Sequence, residues 1–214
     1  MIQKKGLSIL GVIALCILAA FLSWHLSPLP PPPAPAETTS PSPVPIGGKF
    51  CLEDPMGKKW TESDFPGRYL VVYFGYTFCP DICPMALHNL TDALEILSST
   101  GHGKVVDHLQ PLFITLDPER DTPKSLGEFT SQFHPSLKGL TGSRAEIEEV
   151  AKAYRVYSSK FIPDPSKSDY LLDHSSILYV MDPKGAYVGH FNHQTSAEDM
   201  AQKLLIWVPE TALS

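Results

Sequence analysis

Two cysteines separated by three residues, Cys79 and Cys83, stand where an unbroken apolar run gives way to helical periodicity. The run YLVVYFGY, residues 69–76, suits a strand buried on both faces. Beyond Pro84 the period changes: Leu87, Leu90, Leu94 and Leu97 recur at helical spacing until Gly101 stops the helix. A proline four residues after Pro80 would remove an interior helical hydrogen bond if the helix began there. The spacing therefore predicts Pro84 at the first helical position, with both cysteines around the turn before it. Their sulfurs then converge at a helix N-terminus, where partial positive charge favours thiolate over thiol. Such a dithiolate is either redox-active or a metal site.

The N-terminal part cannot belong to the same core. Residues 7–26 hold no charged side chain apart from the titratable His25, and 20 residues at about 1.5 Å each cover roughly the 30 Å of a bilayer core. Lys4 and Lys5 precede this run and no Lys or Arg follows until Lys49, which predicts a cytoplasmic N-terminus and an exported remainder. The only A-x-A of the N-terminal part, Ala34 to Ala36, lies behind four consecutive prolines, and Cys16 follows Leu15 where a lipoprotein site needs a small residue. The expected organisation is an uncleaved transmembrane anchor (1–27), a linker (28–45) and a folded domain (46–214). The linker has nine prolines in 18 residues and is expected to be an extended stalk of up to roughly 55 Å. No Arg- and Ser-rich presequence precedes the anchor, which favours a bacterial inner membrane with a periplasmic domain over a mitochondrial one. The formal charge is −6 and no Lys/Arg run is longer than a pair, so nucleic-acid binding is not expected.

In the domain, Asp54-Pro-Met-Gly57 predicts a short hairpin. The strand ending near Tyr76, the Pro84 helix and a second buried strand over 111–116 make a parallel β-α-β unit. Pro123 opens a helix with Leu126, Phe129 and Phe133 inward, and Ser143-x-x-Glu146 is a capping box for another. Residues 156–173 read as strand fragments around Pro163, an exposed hairpin or flap. Strands over 177–181 and 186–191 form an antiparallel pair about Asp182-Pro-Lys-Gly185, and Ser196 caps a last helix to Trp207. This order is that of a thioredoxin-like α/β fold, a central mixed sheet flanked by helices. That fold places a cysteine pair between its first central strand and helix.

The spacing has one residue more than the C-x-x-C of thioredoxin-type oxidoreductases. It allows a wider bite on one metal ion and still permits a disulfide. A purely structural disulfide suits an exported protein, but one closing so short a loop at a helix N-terminus would stabilise little and reduce easily. Two thiolates select soft or borderline ions; Cu(I), Cu(II) with an added imidazole, and Zn(II) with Cys2His all remain open.

Three blocks narrow the choice. Tyr73-Phe-Gly-Tyr-Thr-Phe-Cys79-Pro-Asp-Ile-Cys83-Pro84, Ile114-Thr-Leu-Asp-Pro-Glu-Arg-Asp-Thr-Pro123 and Asp173-His174-Ser175, with Tyr179 and Asp182-Pro183-x-Gly185 behind, are similar to signatures of the Sco/SenC family of copper-binding cytochrome oxidase assembly proteins. The resemblance covers roughly residues 46–207. It implies a thioredoxin-like fold, one copper held by Cys79, Cys83 and His174, and a partner in cytochrome c oxidase subunit II, whose dinuclear copper centre the family matures. Other periplasmic copper chaperones or thiol reductants are further implied partners. Nothing in residue chemistry would have chosen His174 from eight histidines.

The serious rival is a thiol-disulfide reductase using the Cys79–Cys83 pair to keep the partner's copper-ligand cysteines reduced. A copper sensor is a third class. A peroxiredoxin needs Thr three residues before its cysteine, whereas Thr77 is two before Cys79. Asp81 could act on the thiols or simply sit in the turn. Asp117 resembles an acidic family position, but a strand-end carboxylate often only caps a turn. His190 and His193 are expected to be ordinary surface, Cys51 to be buried and Cys16 inert.

Overall fold

The computed structural model describes residues 45–163 and 169–209, together with 13 and 16–18. Residues 1–43 and 44–214 are separate units, and of the first only those four positions are described, in helical backbone. Among the described residues no helix is long and apolar enough to cross a membrane. The expected anchor lies almost wholly outside them, as does the linker except Pro45.

Nine strands are described: β1 (Cys51–Glu53), β2 (Lys59–Thr61), β3 (Tyr69–Gly75), β4 (Leu109–Thr115), β5 (Lys138–Leu140), β6 (Ser158–Phe161), β7 (Leu171–His174), β8 (Ile177–Met181) and β9 (Tyr187–Asn192). The helices are α1 (Ile82–Ser99), α2 (Gly103–Asp107), α3 (Pro123–Thr130), α4 (Arg144–Ala153) and α5 (Ala197–Trp207). The central sheet runs β5-β4-β3-β8-β9. β3 pairs parallel with β4 from Tyr69↔Leu109 to Gly75↔Thr115, and antiparallel with β8. This is the mixed sheet and element order of a thioredoxin-like fold.

β3 is central because it can be: Val71, Val72, Tyr73 and Phe74 are all fully buried, so both of its faces need cover. α1 buries the expected leucine stripe and packs against α5. It ends at Ser99, and Gly101 turns the chain with φ +90°, a conformation that suits glycine. The capping box at α4 and the Ser196 cap at α5 form as expected.

Three expectations need correction. α1 begins at Ile82 rather than Pro84, so Cys83 lies inside its first turn. The first N–H groups of a helix have no intrahelical acceptor, so Pro84 gives up no hydrogen bond in the third helical position. Cys51 is exposed, because strand alternation in β1 gives the inner face to Leu52. Two short elements, β5 and α2, were not anticipated. The region over 156–173 is an antiparallel hairpin, β6 paired with β7 from Ser158↔His174 to Phe161↔Leu171, and its tip lies outside the described residues.

Candidate metal centre

The end of β3 hands the chain to a turn that carries Cys79, and the first turn of α1 carries Cys83 directly behind it. The backbone N–H of Cys83 donates to the Cys79 sulfur at 3.3 Å, which uses one of the orphan donors of the helix start. Cys79 is half-buried and Cys83 fully buried; both are free thiols. His174 arrives from the far end of the hairpin, at the last residue of β7, and its Nε2 stands 3.4 Å from the Cys83 sulfur. Cys79, Cys83 and His174 each offer one donor atom, and these atoms all lie within 4.8 Å of one another.

The imidazole is oriented from behind. Its Nδ1 lies 3.1 Å from the Ser175 carbonyl oxygen. A carbonyl only accepts, so Nδ1 carries the hydrogen and the Nε2 lone pair faces the sulfurs. Tyr73 and Tyr76 hold the ring edge-on, with centroids at 6.3 and 5.8 Å. Ser175 in turn fixes the hairpin: its N–H donates to the Tyr157 carbonyl and its hydroxyl accepts from the Tyr157 N–H.

The two thiols are electrostatically unequal. The hydrogen bond from Cys83 holds the Cys79 thiol down to about 4, against an opposing effect of burial and with help from backbone N–H groups. The same contact, then burial, pushes the Cys83 thiol up. One thiolate and one proton are thus shared across the pair, the proton residing on Cys83.

Three donors about 2.3 Å from one ion would stand about 4 Å apart. The observed separations therefore accommodate a single ion after small side-chain adjustments. A close backbone approach makes this packing feasible: a Cβ on Gly75 would lie 2.9 Å from the Cys83 sulfur and 2.9 Å from Phe113. Beside the centre is a cavity of about 600 Å³, bordered by Cys79, Asp81, Phe161, Leu172 and His174.

Apart from Asp117, weighed as a family acidic position or a turn cap, the residues that hold this geometry were not singled out by sequence. Buried Asp121 accepts from the Thr77 N–H at 3.0 Å, the Thr77 hydroxyl at 2.6 Å and the Thr115 hydroxyl, tying the cysteine turn to the end of β4. Asp117 is buried as well, pairs with Arg120 and accepts from the Tyr170 hydroxyl at 2.8 Å. Arg120 donates to the Tyr170 carbonyl at 2.8 Å and stacks on the Tyr170 ring at 3.6 Å. Asp117 thus latches the hairpin rather than offering a ligand. Two acids at the end of one buried strand were the available signal. Asp81 is exposed, and its side chain makes no capping hydrogen bond. His190 shares a hydrogen bond with Tyr187, outside the cluster.

A family model described as SCO1/SenC matches residues 38–208 of this chain. "Protein sco1" of Schizosaccharomyces pombe is 43% identical over 161 residues, covering 74% of this chain and 59% of that protein. The chain thus spans a little over half of that relative's length. Among solved structures, Arabidopsis thaliana ScoI with copper bound aligns with a TM-score of 0.69 and 38% identity, over 77% of this chain and 99% of that one. Bradyrhizobium japonicum ScoI with copper bound gives 0.66 and 40%, over 76% and 99%.

Proposed function

The chain belongs to the SCO1/SenC family, and from that membership we propose that it is a copper-binding protein serving cytochrome c oxidase assembly. The observation that carries this reading is the convergence of Cys79, Cys83 and His174 within 4.8 Å. Two sulfurs and one imidazole nitrogen suit a soft or borderline ion. Solved relatives at 38% and 40% identity hold copper, which favours that metal over zinc.

In this reading Cys79 and Cys83 supply two thiolates, and the Cys83 proton leaves on loading. His174 supplies Nε2, held in the right tautomer by the Ser175 carbonyl. Cu(I) can be held by the two sulfurs alone, whereas Cu(II) draws on the nitrogen. The recipient is oxidase subunit II, as the family resemblance implies. The cavity beside the site, with Phe161 more than half exposed in its lining, offers apolar surface for a docking partner. Residues 7–26 anchor the chain in a bacterial inner membrane, residues 28–45 act as a stalk, and the domain works in the periplasm. The charge-free apolar run and the Lys4–Lys5 pair support this placement.

A second reading, thiol-disulfide reductase, is favoured by the asymmetry of the sulfurs. Half-buried Cys79 can attack a partner disulfide and buried Cys83 can resolve the mixed disulfide. Two electrons and the Cys83 proton then pass to the partner while Cys79 and Cys83 become a disulfide, and the partner's second sulfur leaves as a thiolate or takes its proton from water. The two readings separate in one experiment. The reduced full chain, loaded with one Cu(I), is mixed with apo subunit II whose cysteines are already reduced. Copper transfer supports the chaperone; no transfer, with reduction of an oxidised subunit II, supports the reductase.

A further inference from the structure

Among the described residues, two buried side-chain polar atoms lack a hydrogen-bond partner, the Tyr73 hydroxyl oxygen and Nη2 of Arg120. Tyr73 is fully buried in β3, a strand whose neighbours Val71, Val72 and Phe74 are apolar. A phenylalanine would fill the ring's place without stranding an oxygen, so the hydroxyl calls for an explanation.

Its surroundings supply one. The ring edge of Tyr73 and the sulfur of Cys83 flank the same space, 3.1 and 2.9 Å from the point where a Gly75 Cβ would stand. The ring also meets His174 edge-on at 6.3 Å. A phenol enclosed in an apolar strand keeps its hydrogen and can act as a donor.

Resting on the copper reading, we infer that Tyr73 is a positioning residue whose hydroxyl donates to the Cys83 sulfur once that sulfur has lost its proton to metal binding. While Cys83 remains a thiol, its sulfur is a poor acceptor and the hydroxyl is left over. When it becomes a metal-bound thiolate, a donor held in a dry pocket forms a charge-assisted bond to it. That bond withdraws electron density from one sulfur of the pair, fixes its direction and leaves Cys79 as the more strongly donating ligand. Outer partners of this kind commonly shift metal affinity by about 10- to 100-fold.

The test is Tyr73→Phe in the full chain, which keeps the ring and removes only the oxygen. Three quantities are compared with the unmutated chain: the thermal midpoint without metal, Cu(I) affinity by competition with a chromophoric chelator, and the Cu(II)–thiolate absorption band. The expected result is an unchanged or raised midpoint, because an unpaired buried oxygen has gone. Cu(I) affinity should fall about tenfold, and the band should move to longer wavelength, because a sulfur without the donor gives up charge more easily. Equal affinity and an unmoved band would overturn the role of Tyr73, as would a lowered midpoint with copper binding intact. An unmutated chain that takes up no copper would overturn the copper reading itself, and this inference with it.

Discussion

Nε2 of His174 stands 3.4 Å from the sulfur of Cys83, although 91 residues separate the two in sequence. Most of α1 and all of β4 lie between them in sequence, yet Cys79, Cys83 and His174 gather at one end of the central sheet. The β6–β7 hairpin brings the histidine there, and its anchoring governs whether the site closes.

Gly75→Ala tests the closeness of that packing. Its Cβ would lie 2.9 Å from the Cys83 sulfur and 3.1 Å from Tyr73, with Phe113 blocking retreat. Overpacking should cost about 1–3 kcal/mol of stability. Displacement of the sulfur should weaken Cu(I) binding by about tenfold or more, read by chelator competition.

Asp121→Ala should loosen the cysteine turn. It strands the Thr77 N–H and the hydroxyls of Thr77 and Thr115 as donors, although the Thr115 hydroxyl still accepts from the Asp117 N–H. The expected loss is about 1–3 kcal/mol in chemical denaturation. Hydrogen exchange should rise at Thr77 and Cys79 before it rises in β3.

Arg120→Met should release the hairpin. It leaves the Asp117 carboxylate, 1% exposed, without its cation and removes the bond to the Tyr170 carbonyl. Breaking such a pair costs about 3 kcal/mol or more. The Cu(II) spectrum should change more than Cu(I) affinity does, because the hairpin carries the nitrogen and not the sulfurs.

Much of this arrangement was legible in sequence, for local reasons. The switch from an apolar run to leucines at helical spacing locates Cys79 and Cys83 between β3 and α1, since both signals lie within 30 residues of one another. The start of α1 was misplaced by two residues because proline is free of penalty throughout a first turn. β5 was missed because three residues carry too little periodicity to read. Cys51 was assigned to the wrong face because a three-residue strand does not show which of its alternating sides is buried. His174 came from family resemblance alone, as no short-range pattern records a contact across 91 residues. Arg120, Asp121 and Tyr170 share that difficulty, and Tyr73 is disguised as one more large residue in a buried strand.

The unequal thiols predict a pH signature. With its pKa lowered from 9.0 to about 4, Cys79 stays thiolate as pH falls from 8 to about 5. An ordinary thiol loses about tenfold in thiolate per pH unit over that range. Alkylation of Cys79 by iodoacetamide, followed by peptide mass analysis of the metal-free reduced chain, should therefore slow by less than about threefold between pH 8 and 5. Cys83→Ala removes the donor that stabilises this thiolate, and the slowing should then exceed about tenfold.

The most direct test of the account is copper-edge X-ray absorption on the full chain, reduced, loaded with one Cu(I) and then oxidised to Cu(II). The account predicts two sulfur scatterers in both states and one imidazole nitrogen in the Cu(II) form. One sulfur should be lost in Cys79→Ser or Cys83→Ser, and the imidazole shell should be lost in His174→Ala. A Cu(II) spectrum of folded His174→Ala identical to that of the unmutated chain, or a first shell with fewer than two sulfurs, would contradict it.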